Sequence, residues 1–539
     1  MKKHLFLVIA FATVLSAKAQ DAATFRKWGD EILEVINYNL RQNSFNYLYD
    51  EQIGSGAAFA WPMGIQLKAL IYAGEISYAE SLYAEFQAHY YYYGNGYSAF
   101  NAVCNSRNDR YYDDNAWIAK DLMDLYDKTG KTVYLDRAKT VLKFCMSGEL
   151  PTGGIHFHEG DGDPTSPNYM NWSTCATSPT TCVNLKLYIA TKDDKYLVDG
   201  KRLYDFMKAK VWGIGPGYRG YENAVIMEAA TLLYKITGEA VYLADAQRIG
   251  YAMESRYISV DSHRLNEVGC WGGHDMTDAY VNLYEVDHDQ NWLDIVAGYL
   301  SYLHENCRDA KGFYPESWDD TAKDGKRFQL LDQASACSAF YKMSLTPGGQ
   351  PKQPDACSLY QDPDWNNYGA TGSAWSMGLK VGTYTKEQLA FLGLLDTRFN
   401  FKADISSLKV QDGYKVTAYM YNNFVGTPRV YTSNVSNLSA WNDRIISLKV
   451  ESLTSGLTEE QSSQKSVMAY QSDDNGALMI DNLPNESTLE ILNLTGRQVY
   501  SGVASEGIFS LNTSFLAKGF YLLRVKSEKN EQVIKIQIK

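Results

Sequence analysis

The residues best suited to chemistry in this 539-residue sequence lie in Tyr111-Tyr112-Asp113-Asp114-Asn115-Ala116-Trp117, where two carboxyl groups stand side by side ahead of a helical pattern. The bland account is a helix N-terminus, because Asp there satisfies orphan amides and complements the helix dipole. The sharper account is glycoside hydrolysis, which needs two carboxyl groups flanking one bond. Neighbours on a regular helix point about 100° apart, so the pair can flank a bond only at the helix start, where the backbone is not yet helical. A helix N-terminus favours one ionised carboxylate, and that charge raises its neighbour's pKa, which suits a nucleophile beside a general acid. Charge alone leaves open which residue takes which role.

Further candidates also stand ahead of helical patterns. Tyr221, Glu222 and Asn223, and Trp271 with His274 and Asp275, could form a sugar platform with a polar rim; each is equally readable as core anchor or cap. Trp61 and Trp117 sit on helical stripes, where aromatic rings usually pack inward, while Tyr112 flanks the acid pair. His156-x-His158 with Glu159, Asp161 and Asp163 could hold a divalent ion, but alternation on an extended segment turns the two imidazoles to opposite sides. No metal is expected.

The elements that position these residues are helical. Apolar residues recur at helical spacing over some twelve segments, near 23–42, 61–75, 77–91, 115–129, 131–147, 174–190, 193–209, 222–237, 240–255, 274–286, 289–305 and 330–344. Leu125-Tyr126-Asp127-Lys128-Thr129-Gly130, followed by Tyr134-Leu135, returns as Leu233-Tyr234-Lys235-Ile236-Thr237-Gly238, followed by Tyr242-Leu243. Leu187-Tyr188 and Leu283-Tyr284 begin shorter copies. Each copy ends one helix and opens the next, with Gly130 and Gly238 where a left-handed cap belongs. Six hairpins can close into an (α/α)6 toroid, the favoured reading over an open solenoid. The connections 94–112, 148–172, 210–221 and 258–273 then surround a cleft.

Composition bounds the partners. Sixty-three acidic against 51 basic residues give a net charge of −12, and no basic run neutralises phosphates, so nucleic acid is excluded as a partner. With 41 tyrosines, the chain has rings suited to exposed sugar-binding surfaces. Lys2 and Lys3, an apolar run over Leu5 to Leu15 and Ala17-Lys18-Ala19 have the layout of a signal peptide spanning 1–19, and no later stretch is a membrane span. The eight cysteines are compatible with disulfides or buried thiols, Cys175 and Cys182 being closest in sequence. A monomer, secreted or at the cell surface, is expected, with the periplasm as the alternative.

The stretch from about 23 to 345, with Tyr-Asp-Asp-Asn-Ala-Trp and the Leu-Tyr-x-x-Thr-Gly hairpins, resembles glycoside hydrolase family 76. The resemblance implies an (α/α)6 endo-α-1,6-mannanase acting on α-mannan or manno-oligosaccharides with retention and without a cofactor. It implies Asp113 as nucleophile and Asp114 as acid/base. The chain departs from the family pattern at Gly153-Gly154-Ile155-His156-Phe157-His158 and at Tyr221-Glu222-Asn223-Ala224. The alternatives are a non-catalytic glycan-binding surface protein, or another (α/α)6 glycosidase acting on a different polysaccharide.

Beyond a 20–349 helical domain the pattern turns to short strands. Ile405-Ser406-Ser407-Leu408-Lys409-Val410 is echoed by Ile445-Ile446-Ser447-Leu448-Lys449-Val450, and Tyr360 to Gly369 by Tyr419 to Gly426. Residues 355–453 thus resemble the all-β, Greek-key βγ-crystallin domain. That family often binds Ca2+, but the ligand pattern is incomplete in Lys402-Ala403-Asp404-Ile405-Ser406-Ser407 and in Asn442-Asp443-Arg444-Ile445-Ile446-Ser447. A polar linker is expected over 454–475. Residues 476–539, with Asn493-Leu494-Thr495-Gly496 and Gly519-Phe520-Tyr521-Leu522-Leu523-Arg524-Val525, resemble a type IX secretion C-terminal sorting domain, a small β-sandwich-like module.

Overall fold

The computed structural model describes residues 20–41, 47–92, 96–98, 109–211, 220–266, 270–316, 318, 328–352, 355–366, 374–396, 402–453, 467–471, 477–483, 486–493, 498–504, 507–514, 516, 518–527 and 531–538. The expected signal peptide and most of the expected linker fall outside them. The chain divides into two units, 1–453 and 454–539.

All twelve expected helices are present: α1 (Ala22–Asn39), α2 (Ala60–Ala73), α3 (Ile76–Tyr90), α4 (Tyr112–Thr129), α5 (Thr132–Ser147), α6 (Thr174–Thr191), α7 (Asp194–Val211), α8 (Gly220–Thr237), α9 (Ala240–Tyr257), α10 (Cys270–Asp287), α11 (Gln290–Tyr302) and α12 (Leu330–Ser344). The repeat works through its last turn. Thr129, Thr191 and Thr237 each donate their hydroxyl to the carbonyl four residues back, at 2.7, 2.7 and 2.9 Å. Gly130 and Gly238 then take positive φ, which ends the helix and reverses the chain. Lys192 and His288 adopt the same conformation without glycine, so the shorter copies make the same turn.

The even-numbered helices form an inner ring in which α2, α4, α6, α8, α10 and α12 pack in succession and α12 closes against α2. Each odd-numbered helix packs outside. Closure settles the choice between toroid and solenoid. Inner helices have no solvent side: twelve of the fourteen residues of α2 are buried, charged Lys68 among them.

Charge on the axis is therefore paired between helices. Lys68 Nζ lies 3.2 Å from Asp278 and 3.5 Å from Asp121, Lys120 Nζ 2.5 Å from Glu228, and Lys186 Nζ 2.6 Å from Asp124. Many tyrosines read as exposed platforms are core residues. Tyr90, Tyr204, Tyr280 and Tyr341 are buried, donating their hydroxyls to Ala58 O, Asp245, Gly250 O and Asp30, because a phenol can fill a core and satisfy a distant acceptor at once. Among the described cysteines Cys145, Cys175, Cys182, Cys337 and Cys357 are free thiols, so Cys175 and Cys182, both on α6, are not a disulfide.

Among the described residues, 355–453 form two larger antiparallel sheets and the short pair Leu395–Asp396 with Lys402–Ala403. Cys357–Tyr360 pairs with Ser376–Leu379 and Ser407–Val410, and Tyr414–Tyr419 with Arg429–Tyr431 and Ser447–Ser452. The sequence echo is a structural one. The Ser407 hydroxyl donates to Asp362 O and accepts from Trp365 N–H, while Ser447 does the same with Tyr421 O and Phe424 N–H. Each serine pins a folded hairpin whose tip has positive φ, at Asp364 and Trp365 in one copy and Asn423 and Phe424 in the other. This layer is tied to the helical part by Tyr360 and Lys409, which both reach Asp261. The second unit contains two antiparallel sheets, including Ser487–Asn493 between Gln498–Ala504 and Gly519–Lys526.

Removing one partner of an axial pair leaves a buried charge uncompensated. Lys120→Met is expected to destabilise the helical unit by about 3–5 kcal/mol in chemical denaturation, and Lys120→Met with Glu228→Leu to recover part of the loss.

Candidate active site

The segment before α4 is held as a short strand. Tyr112 N–H donates to Phe157 O at 2.9 Å and Glu159 N–H to Arg110 O at 3.0 Å. The Arg110 guanidinium grips both oxygens of Glu159 and stacks over Phe144. His158 accepts from Gly160 N–H at Nδ1, so Nε2 carries the proton it donates to Asp109, 2.8 Å away. His156 is buried and donates from Nδ1 to Asn171 O. The two imidazoles thus serve loop structure; among the described residues no group of three His, Cys, Asp or Glu could hold a metal ion.

This pairing starts α4 earlier than expected, at Tyr112 with Tyr111 as its cap. Asp113 and Asp114 therefore occupy the first helical turn, not an irregular lead-in, because Phe157 supplies the acceptor that the first helical amide needs. Asn115 anchors what comes before: its Oδ1 accepts from Tyr97 N–H at 2.6 Å and its Nδ2 donates to Tyr97 O and Tyr111 O. The third residue of Asp-Asp-Asn is thus the structural one.

Both aspartates are half-buried. Asp113 Oδ1 accepts the Asp114 N–H at 2.8 Å, and the Cys175 side chain lies near this carboxyl. Burial raises Asp113 to about 6 against the lowering contact of the Asp114 amide. Burial and then the adjacent Asp113 charge push Asp114 well above the carboxylate range. At neutral pH the geometry keeps Asp113 ionised beside a protonated Asp114. Half-buried Tyr111 faces the pair; burial, with the nearby Asp109, Asp114 and Asp113 charges, raises its hydroxyl and keeps it a donor.

On α8, Tyr221 and Glu222 lie in the first turn, and Tyr221 reaches Cys175 beside Asp113. One turn below the aspartates, Trp117 shares their helix face and lines a narrow void with Trp61, Lys68, Asp121 and His274. His274 is 2% exposed, 3.2 Å from Ser335 Oγ. Two expected sugar contacts are core residues instead. Tyr112 is 4% exposed and stacks on Phe144, because the face opposite Asp114 must fill the gap over Gly148. Asn223 is 2% exposed and donates to Tyr257, since its turn of α8 faces the neighbouring helix rather than the cleft. The Trp271 side chain lies outside the described residues.

Three contributors were not foreseen. Phe157, 43% exposed and packed edge-on to Tyr111, was visible only as part of an atypical loop. Arg110 gave no signal, its partner lying 49 residues away. Cys175 invited a disulfide reading that hid its place near the acid pair, where its Sγ lies 2.9 Å from the Ser173 hydroxyl.

Residues 37–275 match the family model described as glycosyl hydrolase family 76, and residues 474–539 the secretion system C-terminal sorting domain. No curated protein matches the chain. Among solved structures, a GH76 α-mannanase from Bacteroides thetaiotaomicron is 22% identical, over 59% of this chain and 95% of that one, with a TM-score of 0.51. The GH76A α-1,6-mannanase from a Salegentibacter species is 18% identical over 60% and 99%, with a TM-score of 0.50, and an inactive variant of it with two substituted aspartates is known in complex with α-1,6-mannotriose. These likenesses establish the toroid fold of the helical part. A βγ-crystallin domain from Flavobacterium johnsoniae is 32% identical over 19% of this chain and all of that one, with a TM-score of 0.16.

Asp113 titrates near 3.8 without its surroundings and near 6 in the fold, so the folded chain retains a proton the unfolded chain has lost between these values. Stability thus falls as pH rises through this window. Asp113→Asn is expected to raise Tm at pH 7.5, with the gain shrinking to nothing by about pH 4 in pH-resolved thermal melts.

Proposed function

We propose that the glycosyl hydrolase family 76 domain of this chain, an exported or cell-surface glycoside hydrolase carrying a sorting domain at its far end, cleaves α-1,6-mannosidic linkages of α-mannan with retention of configuration. The observation that carries the reading is the Asp113–Asp114 pair, half-buried in the first turn of an inner helix with the two pKa values raised unequally. Two carboxyl groups with different proton affinities can divide the labour of a two-step displacement.

Asp113, the more readily ionised, attacks the anomeric carbon as Asp114 gives its proton to the departing glycosidic oxygen. This leaves a mannosyl ester on Asp113 and an ionised Asp114. Asp114 then takes a proton from water, whose oxygen attacks the anomeric carbon and releases Asp113 as carboxylate. The Asp114 N–H bonds the Asp113 carboxyl, and Tyr111 borders the pair. Phe157, Trp61, Tyr221 and Glu222 are the groups proposed to meet sugar rings and hydroxyls, with His274 behind Trp61. A relative with its aspartates substituted holds α-1,6-mannotriose, which supports the same linkage here.

The test is incubation of the protein with unbranched α-1,6-mannan, with products resolved by chromatography and the first-formed anomer identified by NMR. Short oligosaccharides released as the α-anomer are expected; an intact polymer would overturn the reading. Asp113→Asn and Asp114→Asn should each lower kcat by about 100-fold or more with folding retained by circular dichroism. The rate should rise with pH through about 6, as Asp113 ionises, and fall at higher pH as Asp114 loses its proton.

A further inference from the structure

The ladder that starts α4 also sorts charge. Tyr111 pairs with His158 in antiparallel fashion, between the Glu159 N–H bond to Arg110 O and the Tyr112 N–H bond to Phe157 O, and side chains alternate across such a strand. Asp109 and Tyr111 fall on one side, with the Asp109 carboxylate 2.8 Å from His158 Nε2 and the Tyr111 ring 4.6 Å from the imidazole. Arg110 and Tyr112 fall on the other, both over the Phe144 ring of α5, at 4.4 and 4.8 Å. Arg110 is 8% exposed, and its buried charge is matched by both carboxylate oxygens of Glu159, with Nε 2.8 Å from Oε2. Arg110 stands only three residues ahead of Asp113 and four ahead of Asp114, yet its cation is turned to the core face and neutralised there.

We propose that Arg110 and Glu159 are positioning residues for the acid pair: their ion pair fastens the strand that leads into α4, and it holds the guanidinium on the core face, so that Asp114 keeps the proton it must give. The proposal rests on the reading of Asp114 as general acid. On the side of the pair itself the ladder presents Asp109, Tyr111 and His158, while α5 contributes Cys145, α6 Cys175 and α8 Glu222. Lys68 of α2 lies lower on the axis and is paired with Asp121 and Asp278. A neighbouring anion raises the proton affinity of Asp114, as the Asp109 charge does, and a guanidinium deprived of its carboxylate lowers it. The clasp thus acts twice, once on the backbone that places the pair and once on the charge that surrounds it.

The experiment compares three variants of the full chain on unbranched α-1,6-mannan. For Glu159→Gln, kcat is expected to fall about tenfold with KM little changed, and the alkaline limb of the pH profile to move to lower pH, because the Arg110 charge has lost its anion. Arg110→Gln combined with Glu159→Gln removes both charges and should return the limb to its wild-type position. Glu159→Asp keeps the charge and should leave the limb in place. A Glu159→Gln enzyme with the wild-type kcat and limb, or a double variant with the limb of the single one, would overturn the proposal. A substrate-free measurement separates it from the mannanase reading: hydrogen exchange at the Tyr112 amide, which Phe157 O accepts. Faster exchange in Glu159→Gln supports the clasp even if the wild type leaves mannan intact, a result that would overturn the substrate assignment alone. Mannan hydrolysis by the wild type, with exchange and limb unmoved in the variant, would overturn the role of Arg110 and Glu159 and leave the mannanase reading standing.

Discussion

Six helices that face one another around an axis have no solvent side there, and every charge on that axis must find its partner on another helix. Lys68, Lys120 and Lys186 do so with Asp278, Asp121, Glu228 and Asp124, tying α2, α4, α6, α8 and α10 together through contacts that a shift of one helix would break. Such pairs contribute little net stability, since desolvation offsets much of the attraction, but the cost of breaking one is high. The helix starts that bear the site are therefore set in register by interactions lying beneath it.

The same burial prepares the carboxylates. Asp113 and Asp114 lie on the last solvent-facing turn above the axis, where water is scarce enough to raise both and close neighbours lower one. The contact from the Asp114 amide favours the Asp113 anion, whereas Asp114 meets the Asp113 and Asp109 charges. A fold that stabilised both anions would be more stable at neutral pH and would have no proton to give. This is a local instance of stability set against function.

The loop from Gly153 to Glu159 sits between these levels. It supplies the carbonyl that starts α4 and the carboxylate that Arg110 grips, and it presents Phe157 beside Tyr111. One segment is thus both the support of the acid pair and part of its wall, so a change in the loop and a change of carboxylate placement are linked through one stretch of chain.

The sequence by itself determined the twelve helices, their hairpin repeat, the acid pair and the twofold echo of the β-layer, because periodicity, the Thr-Gly ends and the paired serines act within a few residues or recur in register. It suggested closure without requiring it, since nothing in the repeat says that α12 meets α2. Tertiary structure decided which of the candidate side chains face the core: Tyr112 stands next to Asp113 in sequence, yet it stacks on Phe144, and Asn223 turns to Tyr257. It also decided that α4 begins at Tyr112, through a carbonyl 45 residues downstream, and that Cys175 and Cys182 do not pair. The physical reason is common to all of these. Burial and hydrogen-bond partners are properties of neighbours in space, and in a closed ring those neighbours come from helices that local sequence pattern does not connect.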